Sequence, residues 1–535
     1  MTQELEPRNI DNTTSLESMR NMPNHGETIR RVSMELNGGL SPATEAYLDE
    51  VTEIYKTASK REREIADGPM EFEPEGLYTQ ASLTNLQQLQ RHTSRGSQLW
   101  VLKPGISADA IQAGYLRVAG RGGKEMLNWL SAASSLNLGG QNPDVETADA
   151  WAGLRFGSNN CSAYHPMGIE DEAKERLARA VPGNSDEQIV IFESTGGGAN
   201  TVAMEAAVLH QAKHGRTSRR AVVAFDSAYH GNNGPAGMAT GFGIREKYSA
   251  FHGKDMPTII LPYPDTPEKT MQFAEQYTQL VQQDLVAGVL VEAIQGDGGM
   301  RMMTQEAAQF LVNTNEDQDI LTIWDEVQSG MGRSGKFTAV EWYGDRVAQS
   351  PNNAITMAKS LANGYPTSAA ILPRHYDDFD TAGALTTMMG NPSGLVRMIT
   401  AVEITSDPTF LNAVELKGEM ALSMLNQAAG QYGHLRGGRG KGLMLGAEIT
   451  QPGMTVTDAG SSKVTTAICY LGGCGMLTGG VGNNGLRLHP PLTTDPEVMQ
   501  RGIEKVIEAS ELMDENTLPQ GVEEMVQAGK SGLDL

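Results

Sequence analysis

Cysteine is nearly absent: three residues, Cys161, Cys469 and Cys474, in a chain of 535. No two of them have C-x-x-C spacing, which excludes a disulfide-stapled module and the common zinc or redox motifs. Such scarcity fits a reducing compartment. No apolar run reaches 18 residues, so no membrane-spanning helix is expected. The opening residues MTQELEPRNIDNTTS lack the basic and apolar regions of an export signal and the Arg-rich pattern of a transit peptide. A cytoplasmic location is the expectation. Basic residues are outnumbered, 42 Lys and Arg against 65 Asp and Glu, for a net charge of −23. The acidic excess is spread along the chain, which argues against nucleic acid and anionic membranes as partners. It does not repel a small anion from a local pocket.

Hydrophobic residues make up 39% and there are 60 glycines, together about half the chain, as globular proteins have. Residues 1–40 are polar with little periodic hydrophobicity and read as an arm ordered, if at all, by contacts. A helix is expected over about 41–67: Ser41 suits the N-cap, Pro42 the first position, and Leu48, Val51, Ile54 and Tyr55 share one face. A second amphipathic stretch, about 81–91, carries Leu83, Leu86 and Leu89. Residues 1–95 thus read as an N-terminal extension.

From about residue 170 helical and apolar segments alternate. DEAKERLARAV precedes QIVIFE, NTVAMEAAVLHQAKH precedes RAVVAFD, FAEQYTQLVQQDL precedes VAGVLVEAI, and AAQFLVNTN precedes DILTIWDEV. Parallel strands need crossovers of this length, so the fold class is α/β with a mostly parallel sheet covered by helices. The large domain is set at 166–405. Beyond it, 406–535 mixes long helices with the strands GLMLGAEI and GLRLHP, a smaller α+β domain to which 96–165 adds an N-terminal part. Ligands of such sheets bind in loops at the carboxyl ends of strands.

Four such loops carry chemistry. Ser194 to Asn200, STGGGAN, opens a helix, where glycine N–H groups and the helix dipole can hold an anion; the same run can be a plain turn, and it is neither a Walker A loop nor GxGxxG. Tyr229 and His230 either stack on a flat cofactor or cap the sheet. Asp325 and Glu326 end an apolar run, where charge needs a partner; a protonated ring nitrogen would serve, and solvated turn acids are the alternative. Lys359 follows the apolar stretch AITMA. It is either a surface lysine or one with a lowered pKa able to form a Schiff base. An anion cradle, a stacking aromatic, a ring-nitrogen carboxylate and a Schiff-base lysine together are what pyridoxal 5'-phosphate chemistry requires.

These motifs resemble the class III, fold type I aminotransferases, which include ornithine, acetylornithine, 4-aminobutyrate and other ω-amino acid transaminases. The resemblance spans about 95–515 and rests on DEVQSGMGRSGKF and AKSLANGYP, supported by GGKEMLNWLSAASSLNLG, DSAYHG, VEAIQGDGG, MMGNP, GKGLMLGAEI and LRLHPPL. It implies a large and a small domain of the fold type I kind and a ping-pong transfer of an amino group from an amino acid or amine to a 2-oxo acid or aldehyde. It implies Lys359 as the Schiff-base lysine and proton shuttle, Asp325 beneath the pyridine nitrogen, Gln328 at the ring hydroxyl and Val327 under the ring. Tyr229 and His230 would lie at the ring, Gly196 and Gly197 at the phosphate, and Glu292 nearby. Thr387 would reach the phosphate of a neighbouring subunit, which implies a homodimer, or a dimer of dimers, with shared sites. Arg487 would grip a substrate carboxylate, with Asp297 and Tyr164 also in the substrate pocket. No metal is expected.

Three motifs depart from the family pattern. Ser-Gly-[Ser/Thr]-Glu-Ala-Asn becomes Thr195-Gly-Gly-Gly-Ala-Asn200, losing a hydroxyl and an acid at Gly197 and Gly198. Gln-Gly-Glu becomes Gln295-Gly296-Asp297, one methylene shorter, which puts the acid's reach to the arginine in question. Met388 and Met389 replace an aromatic-small pair and are expected to alter the pocket floor. An aminomutase or a racemase would use the same residues, and a non-catalytic scaffold subunit is the alternative from another class.

Overall fold

The computed structural model describes residues 16–20, 24–36, 38–70, 108–112, 115–118, 125–129, 131–157, 168–241, 257–380, 383–384, 386–449, 460–472, 474–475, 477–478, 485–519 and 521–522. Seven strands form the central sheet, in the order Gln188–Glu193, Ser368–Pro373, Asn353–Met357, Leu321–Asp325, Val286–Val291, Ala221–Phe225 and Thr258–Leu261. The last five named run parallel to one another. Ser368–Pro373 is antiparallel to both of its neighbours. Strands AVVAF, VAGVLV, LTIWD and NAITM are buried along their whole length. That explains their continuous apolar reading, since helices cover both faces.

Helix Gly196–Lys213 lies across the middle of the sheet and buries Ala199, Val202, Ala203, Met204, Ala206 and Ala207. Its alanines allow close approach: a Cβ on Gly288 of the facing strand would come within 2.9 Å of the Ala207 methyl. Among the remaining described strands, Ile294–Gln295 pairs with Arg301–Met302, and the others make two four-stranded sheets. One pairs Leu435–Lys441, Met444–Ile449, Gly485–Leu488 and Leu477–Thr478 antiparallel. The other joins Ala108–Gln112, Tyr115–Val118 and Glu125–Asn128 to Cys474–Gly475, which links residues distant in sequence.

The helix expected over 41–67 is present as Pro42–Asp67, with the Ser41 hydroxyl accepting the Thr44 N–H at 3.2 Å. The polar segment before it differs from expectation. Glu27–Glu35 is a helix burying Ile29, Val32 and Ser33, and the buried Asp144 carboxylate accepts the N–H groups of Gly26 and Ile29, both at 3.0 Å. Two buried apolar residues in nine are too few to register as periodicity; a carboxylate 115 residues away supplies what the segment's own sequence lacks. The stretch at 81–91 lies outside the described residues. No described helix is long and apolar enough to cross a membrane.

Leu48 is 1% exposed and belongs to the main core with Ile29 and Val32. Leu48→Ala is therefore expected to cost about 2–5 kcal/mol, as deletions in packed cores do, and to lower the midpoint of thermal unfolding. A midpoint equal to that of the parent would show that these N-terminal helices contribute nothing to the body's stability.

Candidate active site

A cavity of about 900 Å³ opens at the carboxyl ends of the strands. Each strand delivers its residue through the loop that follows it: Thr195 to Gly197 after Gln188–Glu193, Tyr229 and His230 after Ala221–Phe225, Glu292 and Asp297 after Val286–Val291, and Val327 and Gln328 after Leu321–Asp325. Lys359 follows Asn353–Met357. All of these line the cavity, as does Asp325 itself.

At one end the helix begins. The Thr195 hydroxyl accepts the Gly198 N–H at 3.0 Å and the Thr195 carbonyl the Ala199 N–H. Gly196 and Gly197 open the helix ahead of those bonds, so their N–H groups belong to the first turn and point out of its end, where anions are favoured. Gly196 also has a steric reason to be glycine: a Cβ there would meet Val327 Cγ1 at 2.8 Å.

Asp325 is 4% exposed. Its Oδ2 accepts from His230 Nδ1 at 2.7 Å and Asn200 Nδ2 at 2.8 Å, and its Oδ1 from the Val327 N–H at 3.0 Å. Asn200 in turn accepts from the Thr356 hydroxyl at 2.6 Å. Asn200 and Thr356 were not among the expected site residues; Asn200's place in the first turn of a helix that starts at the cavity was the available signal. The neighbouring Glu326 serves another purpose. Its carboxylate accepts from the Ser329 hydroxyl and the Val340 N–H, and burial pushes its pKa up to about 7.

Lys359 sits at a positive φ of 39°, with Nζ 6.0 Å from the centre of the Tyr229 ring. Burial lowers its pKa, opposed by the charges of Asp325, Asp297 and Glu292. Glu292 accepts the N–H of Tyr229 at 3.2 Å on one oxygen and that of Gly296 at 3.1 Å on the other. Burial, with Asp325 nearby, pushes its pKa up to about 8.

Arg487 and Asp297 form an ion pair at 2.9 Å with both side chains nearly buried. The shorter acid therefore does reach the arginine. The two methionines do not form the cavity floor: Met389 is buried in the main core and Met388 is 70% exposed. Thr386 lines the cavity; Thr387 is exposed and does not line it. Tyr164 lies outside the described residues. At the opposite end of helix Gly196–Lys213, His210, His214 and Asp378 bring possible ligand atoms within 4.8 Å of one another. Both His210 ring nitrogens are already engaged there, by Asp378 at 2.8 Å and Asp319 at 3.1 Å.

Residues 109–509 match the family Aminotransferase class-III. The chain belongs to the class III aminotransferases. It is 29% identical to the mitochondrial acetylornithine aminotransferase of Saccharomyces cerevisiae over 398 residues, 72% of this chain and 88% of that one. It is 27% identical to the leucine/methionine racemase of Thermococcus litoralis over 402 residues, 72% and 86% of the two chains. The fold is shared with the ornithine aminotransferase from Toxoplasma gondii, with a TM-score of 0.69 at 19% identity over 83% of this chain and 98% of that one. As a class III aminotransferase it is a pyridoxal-phosphate-dependent transaminase that moves an amino group from an amino acid or amine to an oxo acid or aldehyde by a ping-pong route.

A pH effect follows from Glu292. Its folded pKa of about 8 stands above its ordinary 4.5, so between those values the folded chain holds a proton that the unfolded chain releases. Stability must then fall as pH rises through that window. In Glu292→Gln, a mimic of the protonated acid, thermal unfolding measured from pH 5 to 8 should lose that part of the slope. A slope identical to that of the parent would mean that Glu292 is ionised throughout.

Proposed function

We propose that Lys359 is the lysine that holds the cofactor aldehyde and then moves the proton between substrate carbon and cofactor, and that Asp325 faces the pyridine nitrogen. Pyridoxal phosphate, when bound, supplies the electron sink. The residues present fit it. The observation that carries the reading is the convergence of Lys359, the Tyr229 ring and the Asp325 carboxylate on one cavity whose far end is the glycine start of a helix. Asp325 accepts from three donors in a nearly dry place, and a protonated ring nitrogen is the further partner such a carboxylate calls for. The Gly196 and Gly197 N–H groups suit the phosphate, and Val327 and Tyr229 suit the two ring faces. His230 we assign to orienting Asp325, from their 2.7 Å bond. Lowering of the Lys359 pKa by burial favours the neutral amine that attack on a carbonyl needs.

For substrates, we propose that one of the two half-reactions uses an α-carboxylate gripped by Arg487 and that the other uses a donor without one. The Arg487–Asp297 pair supports this, because an arginine already neutralised by an acid can meet an uncharged group and, after Asp297 moves aside, a carboxylate. Acetylornithine and ornithine, which the relatives' names mention, are donors of that second kind at their reacting end. We further propose a homodimer in a cytoplasmic setting. An exposed Thr387 beside an exposed Met388 is consistent with a surface that a second subunit covers, where Thr387 would meet the partner's phosphate.

Lys359→Ala should abolish turnover, a loss of at least 10²-fold, together with the visible absorbance of the lysine-bound cofactor. Activity retained within tenfold would remove Lys359 from the role. A donor panel of α-amino acids, ω-amino acids and diamines, with pyruvate and 2-oxoglutarate as acceptors, tests the substrate reading. Arg487→Ala should lose about 1.5–3 kcal/mol of transition-state binding toward α-oxo acids and little toward amines lacking a carboxylate. Equal losses on both would refute the switch. The racemase relative motivates one control: inversion of a single amino acid with no oxo acid added would favour racemisation over transfer.

A further inference from the structure

Ser131, Ala132, Ala133 and Ser134 have φ values of 39°, 49°, 58° and 68°. They form a left-handed helical turn with no glycine in it. In each, the Cβ crowds the following carbonyl, so four in succession persist only where the surroundings over-determine them. The surroundings here are specific. At the start of the turn the Asn128 side chain accepts the Ser131 N–H at 3.2 Å. Its middle is closed by the Ser131 carbonyl, which accepts from the N–H groups of Ser135 at 2.8 Å and Leu136 at 3.0 Å. At its end the Ser134 hydroxyl bonds His489 Nδ1 at 2.9 Å.

His489 is fully buried, and its backbone N–H is donated to the Trp129 carbonyl at 3.1 Å. Its Nε2 has no hydrogen-bond partner among the described residues. The Ser134 contact is thus the polar anchor of the ring. Burial and the cations Arg333, Arg487 and Lys359 hold the imidazole neutral. A neutral histidine with one nitrogen unused is costly in a core, and the turn it fastens reaches the cavity. The Ala133 carbonyl accepts from Gln328 Nε2 at 3.4 Å. On its other side Gln328 Oε1 fills the place of a Cβ on Gly296, which would stand 1.7 Å away. The amide is held with nitrogen toward Ala133 and oxygen toward Gly296, leaving one amide hydrogen for a ligand.

We propose that Ser134 and His489 are positioning residues that lock this left-handed turn and, through the Ala133 carbonyl, aim the Gln328 amide at the ring oxygen of the bound cofactor. The proposal rests on the assignment of the cavity to pyridoxal phosphate and adds a device that sets how strongly the ring oxygen is hydrogen-bonded. It requires no contact between His489 and substrate or cofactor.

The test uses the holoenzyme and reads the pH midpoint of its visible absorbance, which reports the charge balance between ring oxygen and lysine-derived nitrogen, with cofactor affinity as a second readout. Ser134→Ala and His489→Leu should raise the midpoint by about one pH unit, the scale of one hydrogen bond to a charged oxygen, and weaken cofactor binding several-fold. His489→Asn, whose amide can stand where Nδ1 stands, should restore the parent midpoint. Combining Ser134→Ala with Gln328→Ala should give the midpoint of Gln328→Ala alone, because the effect passes through that amide. An unchanged midpoint in Ser134→Ala, or an undiminished further shift in the double variant, overturns the proposal; Ser134→Ala removes one oxygen and keeps the test open if His489→Leu does not fold. If Gln328→Ala itself leaves the midpoint unchanged, the cofactor reading of Gln328 fails and the proposal with it. A shift in Gln328→Ala without one in Ser134→Ala sinks the proposal alone.

Discussion

The Asp325 carboxyl group, held almost out of water at the end of a buried strand, is the constraint around which the site is arranged. A carboxylate in that position is stable only when its oxygens are fully occupied. Three donors from three segments meet it: Asn200 from the helix, His230 from the loop after Ala221–Phe225, and the Val327 N–H from its own turn. Two of these donors are themselves held, Asn200 by the Thr356 hydroxyl and His230, through its backbone N–H, by Thr240. The demand of one carboxyl group thereby fixes the relative placement of helix, aromatic loop and strand turn. Those three segments carry the glycine cradle, Tyr229 and Val327.

The same region keeps a place suited to an anion in an acidic protein. The cavity is lined by Glu193, Glu205, Glu292, Asp297 and Asp325, so net charge does not attract a phosphate to it. The acids are subdued locally. Glu292 has its pKa pushed up to about 8 and so carries a proton at neutral pH, Glu205 is pushed up by burial and by Glu193, and Asp297 is paired with Arg487. What remains unopposed at the cradle is the backbone, whose N–H groups cannot be titrated and need no side chain. That is why loss of the hydroxyl and acid at Gly197 and Gly198 leaves the cradle intact.

The parts legible in the sequence are those set by local pattern. Buried parallel strands read as apolar runs, crossover helices as amphipathic ones, and Ser41 with Pro42 as a helix start. The convergence of Lys359, Asp325 and the glycine run on one cavity was legible because strand-end chemistry and spacing coincide. Residues whose meaning lies in long-range contact were not. Asn200 matters through a strand 125 residues away, His489 through a turn 355 residues away, and the helix Glu27–Glu35 through Asp144. The antiparallel strand Ser368–Pro373 was also hidden: it follows Lys359 by a short loop, and nothing in SAAILP specifies direction. The reach of Asp297 stayed an open question because side-chain length says nothing of the backbone that carries it, and the Gly296 N–H bond to Glu292 fixes the loop that presents the acid.

An arginine that grips a carboxylate, the role proposed for Arg487, needs a rigid mount, and the sequence after it makes one difficult. Pro490 and Pro491 cannot donate N–H groups to neighbours; the flanking N–H groups of His489 and Leu492 reach the carbonyls of Trp129 and Asn137, and the segment's own carbonyls have to be tied from elsewhere. Two buried cations do this. Arg333, fully buried, donates to the carbonyls of Pro490 at 2.6 Å and Leu443 at 3.0 Å and to the Asn137 side chain. Lys417 donates to the carbonyls of Leu492 and Thr494. Burial drags their pKa values down, to about 9 and about 7, a measure of how poorly these places suit charge. Neutral donors would suit them better if hydrogen bonding to one carbonyl were all that was needed. A guanidinium or ammonium group offers several hydrogens from one atom cluster and ties two strands to one turn at once. The prolines remove donors, the cations return them from the side, and Arg487, paired with the cavity-lining Asp297, sits on a segment with little freedom to move.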